Sequence, residues 1–180
     1  MLSTKMENAL NSQLNAEIYS AYLYLSMSAW CESIALKGFA NWMRVQAQEE
    51  MVHAMKFYGY ITQRGGAVKL RGIEAPPMEW ESPLAVFEMT YDHEQKVSGL
   101  ISHLVELADD EKDHMTHTLL QWFVNEQIEE EASANEIAQQ LKLMGDARGA
   151  LFMIDRELAQ RVFVPPPGMG GAAAAAEPAP

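Results

Sequence analysis

NWMRVQAQEEMVHAMK, residues 41–56, is the stretch on which the fold turns. Its apolar residues recur alternately three and four positions apart, the spacing of a helix that buries one stripe against neighbours. Extended to residue 61, the stripe reads Met43, Ala47, Glu50, Ala54, Phe57, Ile61. A carboxylate therefore stands where a core residue belongs. His53 lies three residues after Glu50, which puts both side chains on one helix face.

The pattern repeats along the chain. A first helix is expected from Thr4 to about Ile34, opened by a Thr4/Glu7 capping box, with a seam of Leu10, Leu14, Glu17, Ala21, Tyr24 and Ser28. The second runs from about Phe39 to the Gly65-Gly66 stop. Ser82 as N-cap and Pro83 in the first helical position open a third, with a seam of Phe87, Tyr91, Glu94, Ser98, Ile101 and Val105. An acidic turn at Asp109-Asp110-Glu111 leads to a fourth helix ending near Gly145, with Leu120, Phe123, Gln127, Glu130, Ala134, Ile137 and Leu141 in line. A short fifth helix after Asp146 carries Leu151, Ile154 and Leu158. No alternating strand pattern or solenoid repeat accompanies them.

The connection from Ala67 to Glu81 decides the topology. Pro76-Pro77 favours extended chain, and fifteen such residues reach roughly 50 Å. A helix of about 27 residues is roughly 40 Å long. The connection can run the length of a bundle, leaving helices two and three parallel, while the short links make the other neighbours antiparallel. The expected class is all-α: a four-helix bundle with one long crossover and a short fifth helix. The domain is expected over 1–164, with 165–180 a disordered Pro/Gly/Ala-rich tail.

Each seam carries a glutamate near its middle: Glu17, Glu50, Glu94 and Glu130. Glu50 and Glu94 lie about eleven residues, or roughly 16 Å, into parallel helices, and the other two fall within a turn or two of that level. A lone seam glutamate is ordinarily a flank residue reaching for water. Four at one depth, with no Lys or Arg in the seams, would repel one another unless protonated or bridged by a multivalent cation. The Glu-x-x-His pair favours the cation, being the spacing by which bundles hold two iron or manganese ions. Carboxylate and imidazole together suit a metal cycling between divalent and trivalent states.

Charge and composition narrow the partners. Against 25 Asp and Glu stand 13 Lys and Arg, a formal net charge of −12 that disfavours nucleic acid and anionic membranes. A single cysteine, Cys31, excludes an internal disulfide or a cysteine-rich metal site. With no apolar run of spanning length and no basic-then-apolar opening, the expected setting is the cytoplasm.

LNAEIYSAYLYLSM (14–27), NWMRVQAQEEMVHAMK (41–56) and QWFVNEQIEEEASA (121–134) are long, specific stretches, and the chain to about Val164 resembles the non-haem ferritins of bacteria and archaea. That resemblance implies a ferritin-like bundle, iron storage and detoxification, and ferroxidase activity. It implies one iron held by Glu17, Glu50 and His53. A second would be held by Glu94, Glu130 and the bridging Glu50, with Gln127 beside them. Glu49, Glu126 and Glu129, with Glu130, resemble the family's third iron site, although by their own pattern they fit a solvated acidic face equally well. Tyr24 matches the tyrosine next to the dinuclear centre and Trp122 a nearby tryptophan. Dioxygen as oxidant and a homo-oligomer, normally of twenty-four copies, follow from the same resemblance.

Gln127 and Glu130 stand where bacterioferritins and rubrerythrins carry a second Glu-x-x-His. Met51 occupies the place of a haem-ligating methionine, but methionine is also routine core filler and haem is not expected. A catalytically silent shell subunit and a manganese or mixed-metal oxidase stay open. Of the other candidates, His114 and His117 read as exposed polar residues, His93 as pointing off the seam, and Cys31 as a small buried apolar group.

Overall fold

The computed structural model describes residues 1–145 and 147–165; the expected tail lies, apart from Pro165, outside them. Among the described residues five helices form: α1 (Thr4–Ser33), α2 (Lys37–Gln63), α3 (Pro83–Asp110), α4 (His114–Met144) and α5 (Arg148–Leu158). No helix among the described residues is long and apolar enough to cross a membrane.

The helix starts follow capping chemistry, with one correction. Ser3, not Thr4, caps α1: its backbone is extended and its Oγ accepts from Met6 N at 3.0 Å. Glu7 is drawn away from the expected capping box to Lys69 Nζ at 2.8 Å and Ala67 N at 3.2 Å. Ser82 caps α3 as expected, with Pro83 following it. The acidic residues Asp109 and Asp110 complete α3, and Asp113 caps α4. Gly65 ends α2 at φ 74°, a conformation that costs other residues a Cβ clash.

Side-chain contacts fix the directions. Asn11 and Asn15 clamp the crossover backbone through Ala67 O, Lys69 N and O, and Arg71 N; farther along α1, Ser26 donates to Pro77 O and Trp30 meets Trp80. The crossover therefore runs back along α1. Ser28 meets Ala40 while Glu7 reaches Ala67, so α1 and α2 are antiparallel. Met27 meets Thr90 and Tyr24 meets Glu94, which sets α3 antiparallel to α1 and parallel to α2. Gln127 bonds Glu94 and Lys142 bonds Glu88, so α4 returns along α3.

The seams on α1, α2 and α4 are buried as read, except that Glu130 keeps a little exposure. On α3 the buried face is rotated: Thr90, Val97 and Leu104 face inward, whereas Tyr91, Ser98 and Val105 lie at its margin. Val97 and Leu104 are the more apolar or larger of the side chains competing for the core, and Phe87, Glu94 and Ile101 are common to both readings. Two apolar clusters fill the bundle above and below the glutamates, one around Tyr24, Phe39, Met43 and Phe87, the other around Leu14, Phe57, Ile101 and Phe123.

Helix α5 docks on the start of α2. No side chain of α2's own caps it; instead Asp155 Oδ1 accepts from Gly38 N at 2.7 Å and Phe39 N at 3.1 Å. Gly38 is required by this approach, since a Cβ there would lie 1.6 Å from Asp155 O. Ile154 and Leu158 are buried as expected, and Leu151 is partly so. Gly38→Ala should destabilise the protein by about 1–3 kcal/mol, read as a lower denaturation midpoint; an unchanged midpoint would contradict this docking.

Candidate metal centre

The glutamates of the four seams come together at one level of the interior. Glu17, Glu50 and Glu94 are each 1% exposed, and His53 is 3% exposed. Ligand atoms of Glu17, Glu50 and His53 lie within 4.8 Å of one another, as do those of Glu50, Glu94 and Glu130. Glu50 belongs to both groups, so the two triads form a double site with one shared carboxylate. The His53 ring spans them, with Nδ1 3.5 Å from Glu50 Oε2 and Nε2 3.8 Å from Glu130 Oε1.

Neighbouring amides orient these carboxylates. Gln13 Nε2 donates to Glu17 Oε1 at 2.8 Å, Gln46 Nε2 to Glu50 Oε1 at 3.4 Å, and Gln127 Nε2 to Glu94 Oε2 at 3.1 Å. Gln13 and Gln46 each stand four residues before the glutamate they serve, on the same helix face. The sequence reading passed over both, although that repeated spacing was visible. Tyr24 Oη donates to Glu94 Oε1, and its ring is fully buried. His53 is held edge-on by Trp122 at 5.4 Å and Phe123 at 5.8 Å.

Burial pushes the carboxyls of Glu17, Glu50 and Glu130 above their ordinary values. For Glu50 the neighbouring Glu94 and Glu17 add to that rise, and for Glu130 the charges of Glu50 and Glu94. The Tyr24 phenol is likewise raised by burial and then by Glu94. Glu17 Oε2 and Glu130 Oε2 are buried yet accept no hydrogen bond within the described residues. Unpartnered buried oxygens facing a shared carboxylate and an imidazole are the donor set of a site for hard divalent or trivalent cations. Four carboxylates also match the charge of two divalent ions.

Beside this centre, between α2 and α4, a pocket of about 220 Å³ is lined by Glu49, Glu126, Glu129 and Glu130. Burial raises the carboxyls of Glu49 and Glu126. The ferritin resemblance grouped these acids, which by their own pattern fit a solvated face equally well, and gave no sign of a cation among them. Arg161, from the segment after α5, reaches in with Nη2 2.5 Å from Glu49 Oε2. No sequence pattern foretold that contact, because residues 112 positions apart meet only once α5 has docked.

Other candidates are placed more simply. Met51 is 46% exposed. His114 is exposed, and His117 Nε2 lies 3.5 Å from Asp109. His93 turns off the central seam, but it fills the α1–α3 contact rather than facing water. Its Nε2 is 2.8 Å from Ser20 Oγ, and burial lowers its pKa to about 4. Cys31 is fully buried, its thiol pushed up to about 12 by burial.

Comparison with known proteins agrees with this geometry. Residues 7–144 match the Ferritin-like domain family, Ferritin. A bacterial non-heme ferritin of Bacteroides fragilis is 47% identical over 161 residues, 89% of this chain and 100% of the relative. One from Staphylococcus aureus is 38% identical over 163 residues, 91% and 98% of the two chains. Among solved structures, a closed form of Archaeoglobus fulgidus ferritin engineered by site-directed mutagenesis is 56% identical, with a TM-score of 0.90 over 91% of this chain and all of the other. The open-pore ferritin of the same archaeon superposes with a TM-score of 0.89 at 56% identity, covering 90% of this chain and 100% of that one. A buried double site held by four helices and relatives matched over their full length lead to one conclusion: this chain belongs to the ferritin family.

Proposed function

We propose that this protein takes up ferrous iron in pairs, oxidises it with dioxygen and stores the ferric product inside a shell of its own copies. The observation that carries this reading is the pair of buried triads sharing Glu50. Glu17, Glu50 and His53 hold one ferrous ion, and Glu50, Glu94 and Glu130 hold the other, with Gln127 orienting Glu94. Each iron gives up one electron to dioxygen. Two divalent ions neutralise four carboxylates; once the dioxygen has taken both electrons and left with two protons at the level of hydrogen peroxide, two ferric ions exceed those carboxylates by two charges, so the product is drawn to further acids. Glu49, Glu126 and Glu129 supply them next to Glu130. Tyr24, whose hydroxyl donates to Glu94, influences the second iron and serves in electron transfer.

Tyr22, Leu25, Met51, Met55 and Tyr58 form exposed apolar surface on α1 and α2, which supports association with other copies. We take the assembly to be twenty-four subunits, located in the cytoplasm. Relatives described as non-heme ferritins favour an iron pair over haem. A silent shell subunit would be expected to lack ligands, whereas both triads are filled. Manganese satisfies the same donors, and metal analysis after expression with balanced metal supply decides between the two.

Aerobic addition of ferrous iron should consume oxygen, and Glu50→Ala with His53→Ala should slow that uptake by at least about tenfold, since even residues behind a ligand cost 10–100-fold. Equal rates in the two proteins would contradict the reading.

The metal-free protein carries the cost of these carboxylates. A carboxyl raised on folding binds more protons folded than unfolded, so stability falls as pH rises from the ordinary 4.5 up through the raised values. Glu50→Gln should stabilise the metal-free protein by about 1 kcal/mol or more near neutral pH. It should also abolish the gain in melting temperature that ferrous iron gives under nitrogen. Ferrous binding to the unaltered protein should release protons and tighten as pH rises; calorimetry in buffers of different ionisation enthalpy measures that release, and none would tell against ligation by these groups.

A further inference from the structure

The acidic pocket beside the dinuclear centre already contains a cation of the protein's own. Arg161 Nη2 sits on Glu49 Oε2 at 2.5 Å, and Nη1 donates to Gln46 Oε1 at 2.9 Å. The guanidinium lies 4.3 Å above the Trp42 ring, and Nη1 also points at Trp42 O at 3.4 Å. Gln46 is the amide that donates to the shared Glu50, so one short chain of contacts joins Arg161 to the centre. Three of its neighbours thus hold the guanidinium in a fixed orientation, and side-chain exposure falls to 24%.

The backbone around it is fastened too. Asn41 Nδ2 donates to Arg161 O at 2.9 Å, and Asp155 ties α5 to the start of α2. Glu126 and Glu129 form no salt bridge among the described residues. A metal ion entering this pocket finds those two carboxylates open and Glu49 engaged. To gain Glu49 it must approach a like charge and break the charge-assisted hydrogen bond between Arg161 and Glu49.

We propose that Arg161 is a built-in counter-cation of the inner pocket, which withholds Glu49 from divalent ions and yields to more highly charged ferric iron leaving the dinuclear centre. The segment following α5 thereby sets the affinity of the inner site and makes it favour product over substrate. This proposal rests on the reading of the pocket as the exit for oxidised iron. Arg161 is a positioning residue here: it acts through Glu49 and Gln46.

The test is anaerobic titration of the assembled protein with Co²⁺, followed by calorimetry and by the visible absorption of the bound ion. The unaltered protein should bind a tight pair and a weaker third ion per subunit. Arg161→Met, which keeps the stem over Trp42, should still bind two ions as a pair and should tighten the third ion by about tenfold, the factor corresponding to one charge-assisted hydrogen bond. Adding Glu126→Gln and Glu129→Gln should remove that gain, and Arg161→Lys should behave as the unaltered protein. An unchanged third ion beside an intact pair overturns the proposal, as does an equal gain in the lysine variant, which would trace the effect to packing. Failure of the unaltered protein to bind the pair would instead sink the storage reading. Should the methionine variant not assemble, Arg161→Gln carries the same comparison.

Discussion

Four carboxylates meeting in an apolar interior, with one histidine among them, are the constraint around which this bundle is organised. An uncompensated buried charge costs several kcal/mol, and like charges at this separation add to that cost. The chain answers with solid packing on both sides: aromatic and aliphatic side chains close off the site along the bundle axis. Gln13, Gln46 and Gln127 orient carboxylate oxygens without neutralising them. The remaining negative charge is left for metal ions, and among the described residues two carboxylate oxygens have no hydrogen-bond partner. Stability given up in the metal-free protein thus becomes affinity for iron.

How far the sequence disclosed this depends on distance along the chain. Helices, the crossover and the depth of Glu17, Glu50 and Glu94 follow from local periodicity, capping and chain length, which act within a few turns. Glu50 and His53 were legible because both ligands share one helix face. The α3 face was misjudged through Tyr91, Ser98 and Val105, since two seams one position apart both contained Glu94 and periodicity could not choose between them. Ser3 was passed over as a cap because Thr4 and Glu7 made an equally good local signal, and only the folded crossover shows Glu7 committed to Lys69. Arg161 was invisible for a stronger reason: its partners Glu49 and Gln46 lie more than a hundred residues away, and nothing periodic links them.

The docking of α5 gives the C-terminal segment more than a structural part. Asp155 completes the amino end of α2, the helix that carries Glu49, Glu50 and His53. Six residues later Arg161 touches the same helix again through Trp42, Gln46 and Glu49. Hydrogen bonds thus join α5 and the segment after it to the acidic pocket and, through Gln46, to the shared Glu50. The family model matches residues 7–144, so Asp155 and Arg161 lie beyond that stretch while their partners on α2 lie within it.

Crystals soaked in ferrous iron under nitrogen, with anomalous scattering collected at the iron edge, test the central claim most directly. Two peaks should appear in each subunit, one among Glu17, Glu50 and His53, the other among Glu50, Glu94 and Glu130. Iron confined to surface carboxylates, with the four buried glutamates left bare, would contradict the account.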